Sequence, residues 1–323
     1  MEKDKQQTEP NVLKSFAHLL GTEVKNRRLE IPEKWGKGYC AGYVFNEYIR
    51  MLIVNYELKE DLAIENPDLN ISGEMILFKF QLTSIPSVLI ATSRINTEVI
   101  IPIDTNASAI NIEVDADYLN GLFDLSEKSQ VLQGLLQNTQ PLLFEQMIYP
   151  SLRKIVDEVV NESVDETFKL FFLRIKAEEL ICRLLMELEK RDSTHLYPLN
   201  TQDIQILYKI KEQILEHPET PPVINELAVR ANMSPSKLKR LFKQIFGNPI
   251  FSYYQAFRMK EAARLLKEEN LSVSDVQVFA LLFCKVFVYL ECLKDKDVLN
   301  PAFPIPLTDG KSVLPPLSAE KIV

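Results

Sequence analysis

ANMSPSKLKRLFKQIFG, residues 231–247, decides the architecture. Asn232-Met233 reads as a turn, Ser234 as the helix N-cap, Pro235 as the first helical residue and Gly247 as the stop. Before it, PPVINELAVRA (221–231) is a short helix entered through Pro221 and Pro222. Two short helices joined by a turn of three or four residues make a helix-turn-helix. On the second helix Leu238, Leu241, Phe242 and Ile245 fall at core spacing, which leaves Ser236, Lys237, Lys239, Arg240 and Lys243 projecting outward. Arginine and lysine in that position reach guanine edges in a major groove, and the remaining side chains reach phosphates.

Charge supports the same expectation. Between Arg230 and Asn270 nine basic residues face three acidic ones, a local net of +6, whereas the whole chain of 323 residues carries −8. A basic module on an acidic body is the electrostatic footprint of a DNA-binding domain whose other parts do something else. A further helix, FSYYQAFRMKEAARLLKEEN, follows at 251–270.

Towards the N-terminus the period changes. From Gly38 to about Val114 the apolar residues come in short β-branched or aromatic runs (GYCAGYVF, IRMLIVNYEL, EMILFKFQL, SVLIATS, TEVIIPI) separated by turn-prone stretches, the pattern of an all-β barrel or sandwich. In EMILFKFQL, Ile76, Phe78, Phe80 and Leu82 alternate onto one face and are expected to point inward. From Pro141 onward the spacing is helical. VDETFKLFFLRIKAEELICRLLMELEKRD (164–192) is expected to be a long amphipathic helix with Phe168, Phe172, Ile175, Leu180, Leu184 and Leu188 in one stripe. That stripe is either intramolecular core or a dimer seam, the latter formed by Phe172, Leu180, Leu184 and Leu188.

The run INELAVRANMSPSKLKRLFKQIFGNPIFSYYQAFRMKEAARLLKEENLSVSDV (224–276) resembles the DNA-binding domain of AraC-type (AraC/XylS) bacterial transcription regulators. It carries that family's L-A…S-x-S-K-L-x-R-x-F-K…F-G stretch, and Arg258 with Ala262, Leu265 and Leu266 matches the R-x-x-x-A-x-x-L-L linker helix. The resemblance implies an α+β multidomain chain: an N-terminal all-β cupin-like barrel that binds an effector (1–125), an amphipathic linker and dimerisation region (126–198), and a C-terminal all-α helix-turn-helix domain (199–323). It further implies that Ser236, Lys239 and Arg240 read base edges, Lys237 and Lys243 hold the backbone, and Arg258 is structural. After Val276 the family pattern stops. QVFALLFCKVFVYLECLKDKDVLNPAFP has Leu282 or Phe283 where a turn glycine belongs, and residues 271–323 carry a net of −1. A divergent protein-contacting surface and a frame-shifted remnant of a second helix-turn-helix both fit this loss.

Enzymatic chemistry finds no support. The three histidines, His18, His195 and His217, all lie outside the β region, so a cupin metal triad is not available, and no metal or cofactor is expected. No G-x-S-x-G, phosphate loop or H-E-x-x-H occurs. Cys40, Cys182, Cys284 and Cys292 are widely spaced, as in reduced cytosolic proteins, and no apolar run reaches the ~18 residues of a membrane span, so a cytoplasmic protein without a membrane partner is expected. Trp35, Tyr39, Tyr43, Phe45, Phe78 and Phe80 are candidates for an effector pocket and equally for plain core. The expected partners are double-stranded DNA, an unidentified small-molecule effector, a second copy of the chain and RNA polymerase. The alternative function is an effector sensor that dimerises with or sequesters another regulator.

Overall fold

A computed structural model describes residues 10–59, 75–82, 86–93, 106–123, 128–191 and 196–268, without the side chains of 263–268. Arg94, Glu98, His195, Cys284, Cys292 and everything after Val276 lie outside the described residues.

Among the described residues seven antiparallel strands form one sheet: β1 (Arg28–Glu30), β2 (Gly36–Val44), β3 (Ile49–Leu58), β4 (Met75–Gln81), β5 (Ser87–Ala91), β6 (Asn106–Asp115) and β7 (Leu143–Met147). Their spatial order is β1-β2-β3-β6-β4-β5-β7. Of the expected barrel or sandwich, the described residues form one sheet that is not closed: no ladder among them joins β1 to β7, and the run TEVIIPI (97–103) lies outside the described residues. Edges are managed here by other means, since β1 has only three residues and β7 packs against a helix of the C-terminal module. At Gly38 the backbone has φ +107°, and a Cβ there would sit 2.2 Å from the carbonyl oxygen of Asn55 on β3, a closeness that only glycine permits.

The sheet is covered on both faces, which explains why MILFKFQ is almost wholly buried. Ile76, Phe78 and Phe80 point, as their alternation requires, into a core shared with Ile110, Ile112, Val114 and Phe144. Leu77, Leu89, Ala91 and Leu143 point the other way, into the core of the C-terminal helices.

The inward face is closed by four helices, α2 (Ala116–Gly121), α3 (Gln130–Gln137), α4 (Pro150–Asn161) and α5 (Glu166–Glu189). Asp115, Ser129 and Asp165 cap α2, α3 and α5 by accepting from main-chain N–H groups. On α5 the residues that face this core are Leu173, Ala177, Leu180, Ile181, Leu184, Leu185 and Leu188, all buried within the same chain, with Phe172 partly buried beside them. Leu180, Leu184 and Leu188 thus have no exposed surface to offer a second copy. Phe168 and Ile175, expected in that stripe, instead face outward, 64% and 45% exposed.

Two elements escape the sequence pattern. Helix α1 (Asn11–Leu20) lays Leu13, Phe16, Ala17 and Leu20 over β2 and closes at Gly21, φ +63°. Strand β7 lies inside the region expected to be helical, because its pairing with β5, from Leu143↔Ala91 to Met147↔Ser87, outweighs local spacing over five residues. Cys40 is buried under α1, and desolvation pushes its thiol up to about 12. We therefore expect Cys40 to resist iodoacetamide at pH 8 in the native chain and to react once the chain is unfolded, as peptide mapping by mass spectrometry will show. Among the described residues no helix is long and apolar enough to cross a membrane.

Candidate nucleic-acid interface

The C-terminal module is built from α6 (Thr201–Glu216), α7 (Ile224–Arg230), α8 (Pro235–Phe246) and α9 (Ile250–Glu268). The local signals act as their chemistry predicts. Ser234 Oγ accepts from Lys237 N at 3.2 Å, Asn232 takes φ +50° in the turn, and Gly247 ends α8 at φ +75°. The inner face of α8 is Leu238, Leu241, Phe242, Ile245 and Phe246; the Phe242 ring lies 4.4 Å from that of Phe246 and 5.5 Å from that of Tyr253 on α9. Arg258 donates to the Tyr254 hydroxyl, which in turn donates to Pro218 O.

The outer face of α8 presents Ser236, Lys239, Arg240 and Lys243, all exposed. Lys237 differs: it is half-buried, with Nζ 2.9 Å from the Asp203 carboxylate of α6. The Arg240 guanidinium lies 3.9 Å from the centre of the Tyr197 ring, and the buried Gln244 amide binds the Tyr197 main chain twice, accepting from its N–H at 3.0 Å and donating to its carbonyl at 2.8 Å. Tyr197, which precedes α6, is thus strapped to the flank of α8.

A half-buried charged group fastens the same helix to the sheet. Arg191 donates to the carbonyls of Gln244 and Ile245 at the end of α8 and, at 2.8 Å, to that of Glu145 on β7. The Glu145 carboxylate accepts from Lys211 Nζ of α6 at 2.6 Å. Burial lowers the Arg191 guanidinium to about 10, still protonated at neutral pH. Burial, and then the Glu145 charge, push the neighbouring Tyr208 hydroxyl well above the ordinary phenol range. Tyr197, Gln244, Arg191, Glu145 and Asp203 were not singled out in the sequence. Only Gln244, a polar residue at an inward position of α8, left a local trace.

Five of the six effector candidates meet in one packed core and the sixth lies apart. Tyr43, Phe78 and Phe80 are buried between the sheet and α2–α5, with Tyr39 and Phe45 partly buried against that core. Trp35 packs on the separate α1 cluster. An open cleft of about 710 Å³ is lined instead by residues including Pro86, Ile148, Arg153, Asp157 and Lys260. Among the described residues no group of three His, Cys, Asp or Glu side chains could hold a metal ion.

Comparison with known proteins places this module. Residues 227–280 match a helix-turn-helix domain family. The chain is 31% identical over 75 residues to "Regulatory protein PchR" of Pseudomonas aeruginosa, an alignment that takes in 23% of this chain and 25% of the relative, so the chain spans about a quarter of that relative's length. Two crystal structures of ToxT from Vibrio cholerae align over 76% and 75% of this chain and 92% and 88% of theirs, at 11% and 12% identity and a TM-score of 0.25. From its matched segment and its relative, the C-terminal part of the chain is an AraC-type helix-turn-helix domain, the DNA-binding module of transcription regulators.

Proposed function

We propose that the chain is a cytoplasmic, non-catalytic transcription regulator that reads duplex DNA through α8 and answers to a small-molecule effector held in its N-terminal part. Residues 1–125 would sense, 126–198 would link and pair two copies, and 199–323 would bind DNA and, in an activating role, meet RNA polymerase. The observation that carries this is the outer face of α8: Ser236, Lys239, Arg240 and Lys243 project together from a capped helix whose other side is anchored in an aromatic core. Arg240 and Lys239 suit guanine edges, and Lys243 suits a phosphate.

Fluorescence anisotropy on duplex DNA at several salt concentrations tests it. Arg240→Ala is expected to cost about 1–3 kcal/mol and relax preference at one base pair. Lys243→Ala should weaken binding evenly across sequences and reduce the salt slope by about 0.9. Lys237→Ala should reduce it less, since Asp203 already neutralises that ammonium. Absence of any duplex binding at low salt would favour a sensor that works through a partner regulator.

The pairing surface we infer lies on the outer side of α5. Phe168, Phe171, Ile175 and Met186 are 64%, 67%, 45% and 61% exposed, and exposed Cys182 stands between the last two. Steps of three, four, seven and four residues keep all five on one side of the helix, as in a coiled-coil seam. Arg174–Glu178 and Glu179–Arg183 pairs flank it, so neither border carries a single sign of charge.

A further inference from the structure

We propose that Tyr197 is a positioning residue for base recognition: it holds the Arg240 guanidinium in the orientation from which Arg240 reads a base pair. This rests on α8 being the DNA-reading helix.

Tyr197 lies 30 residues before the matched domain begins, on the connection that leaves α5. The contact to Arg240, at 3.9 Å from ring centre to guanidinium carbon, is a stacking distance. Stacking occupies the face of a guanidinium and leaves its N–H edge free. Among the described residues no acceptor takes a hydrogen bond from Arg240, so none of them competes for the donors of a bidentate contact. The same geometry argues against masking, which would consume those donors, as Asp203 consumes the Lys237 charge. The main chain that carries the ring is well fixed. Gln244 clamps both main-chain groups of Tyr197, and two residues on, Leu199 is buried and its N–H donates to Pro141 O at 3.2 Å. A long side chain on an exposed helix face loses rotamer freedom when it binds, and a platform that orders it beforehand reduces that loss.

The test uses the full chain and a pool of random-sequence duplexes. Selection by the unmodified protein yields its preferred site, and Arg240→Ala identifies the base pair that Arg240 reads. Tyr197→Leu is expected to lower preference at that same base pair about threefold to tenfold, the range a partly exposed cation–π contact provides, while binding to a random duplex stays unchanged. Tyr197→Phe, which keeps the ring, should restore it. Adding Tyr197→Leu to Arg240→Ala should change nothing further. If the Leu variant also loses stability, binding falls on every base pair alike, and the double-variant cycle still isolates the contact. Unchanged preference in Tyr197→Leu overturns the proposal, and so does tighter binding to all duplexes, which would mean a mask. If Arg240→Ala shifts no base pair, α8 does not read DNA through Arg240, and the function proposed for the helix fails with it.

Discussion

Lys211→Ala is expected to lower the unfolding free energy by about 3–5 kcal/mol, because it leaves the Glu145 carboxylate buried without its ammonium partner. Glu145 is 3% exposed and the Lys211 side chain 14%, so water has little access to either group. The Arg191 guanidinium is held nearby on main-chain carbonyls of Glu145, Gln244 and Ile245 and cannot move to the carboxylate without abandoning them. A carboxylate that has lost its ammonium must then be hydrated by opening the seam between β7 and α6. The paired replacement Glu145→Gln with Lys211→Met removes both charges and keeps most of the volume, and should be close to neutral. Denaturant unfolding of Glu145→Gln, Lys211→Met and the double variant at neutral pH supplies the cycle, with Lys211→Ala measured beside them. A loss below about 1 kcal/mol for Lys211→Ala would show that Glu145 is already solvated in the folded chain.

That seam shows where sequence pattern stops being informative. The turn, cap and stop of α8 were legible because each is a decision within four residues: Ser234 reaches Lys237 N, and Gly247 takes the one conformation that closes the helix. The inward face of β4 was legible for the same reason, since a strand's period of two needs no knowledge of its partners. Strand β7 was not. LFEQM is short, lies between helical stretches, and becomes a strand only because β5 offers an edge more than fifty residues earlier. Closure of the sheet likewise depends on pairings that no local pattern encodes.

In the candidate site the same division holds. The outward set on α8 follows from helical period and charge alone. Its flanking contacts do not: Tyr197 meets Arg240 and Gln244 across more than forty residues, and Glu145 meets Lys211 across sixty-six. The aromatic candidates of the β region illustrate the converse. Phe78 and Phe80 are large and inward, which makes them core at no measurable exposure and leaves nothing in the pattern to separate filling from binding.

On α5 the two sides of one helix should respond in opposite ways to the same kind of change. The helix carries apolar residues on both faces, and its orientation was misjudged from sequence because a stripe through Phe168 and Ile175 and another through Leu180, Leu184 and Leu188 are both present. The structure separates them: Leu184 has no exposure, whereas Phe171 is 67% exposed. Leu184→Glu removes a fully buried leucine, worth about 2–5 kcal/mol, and adds the desolvation of a carboxylate, several kcal/mol more. Together these approach the whole stability of an ordinary domain, so that variant is expected to be unfolded or insoluble. Phe171→Glu with Ile175→Glu places the same charge on surface that already meets water in the single chain, and should leave the far-ultraviolet circular dichroism and the thermal midpoint of the monomer intact. Its effect falls on pairing. Two copies joined through Phe168, Phe171, Ile175 and Met186 would bring four carboxylates into an apolar seam, and the dimer should weaken at least about a hundredfold, the equivalent of about 2.7 kcal/mol. Sedimentation of the unmodified chain and both variants at micromolar concentration decides the matter. An unmodified chain that is already monomeric there, or a folded monomeric Leu184→Glu, would remove the outer face of α5 as the pairing surface.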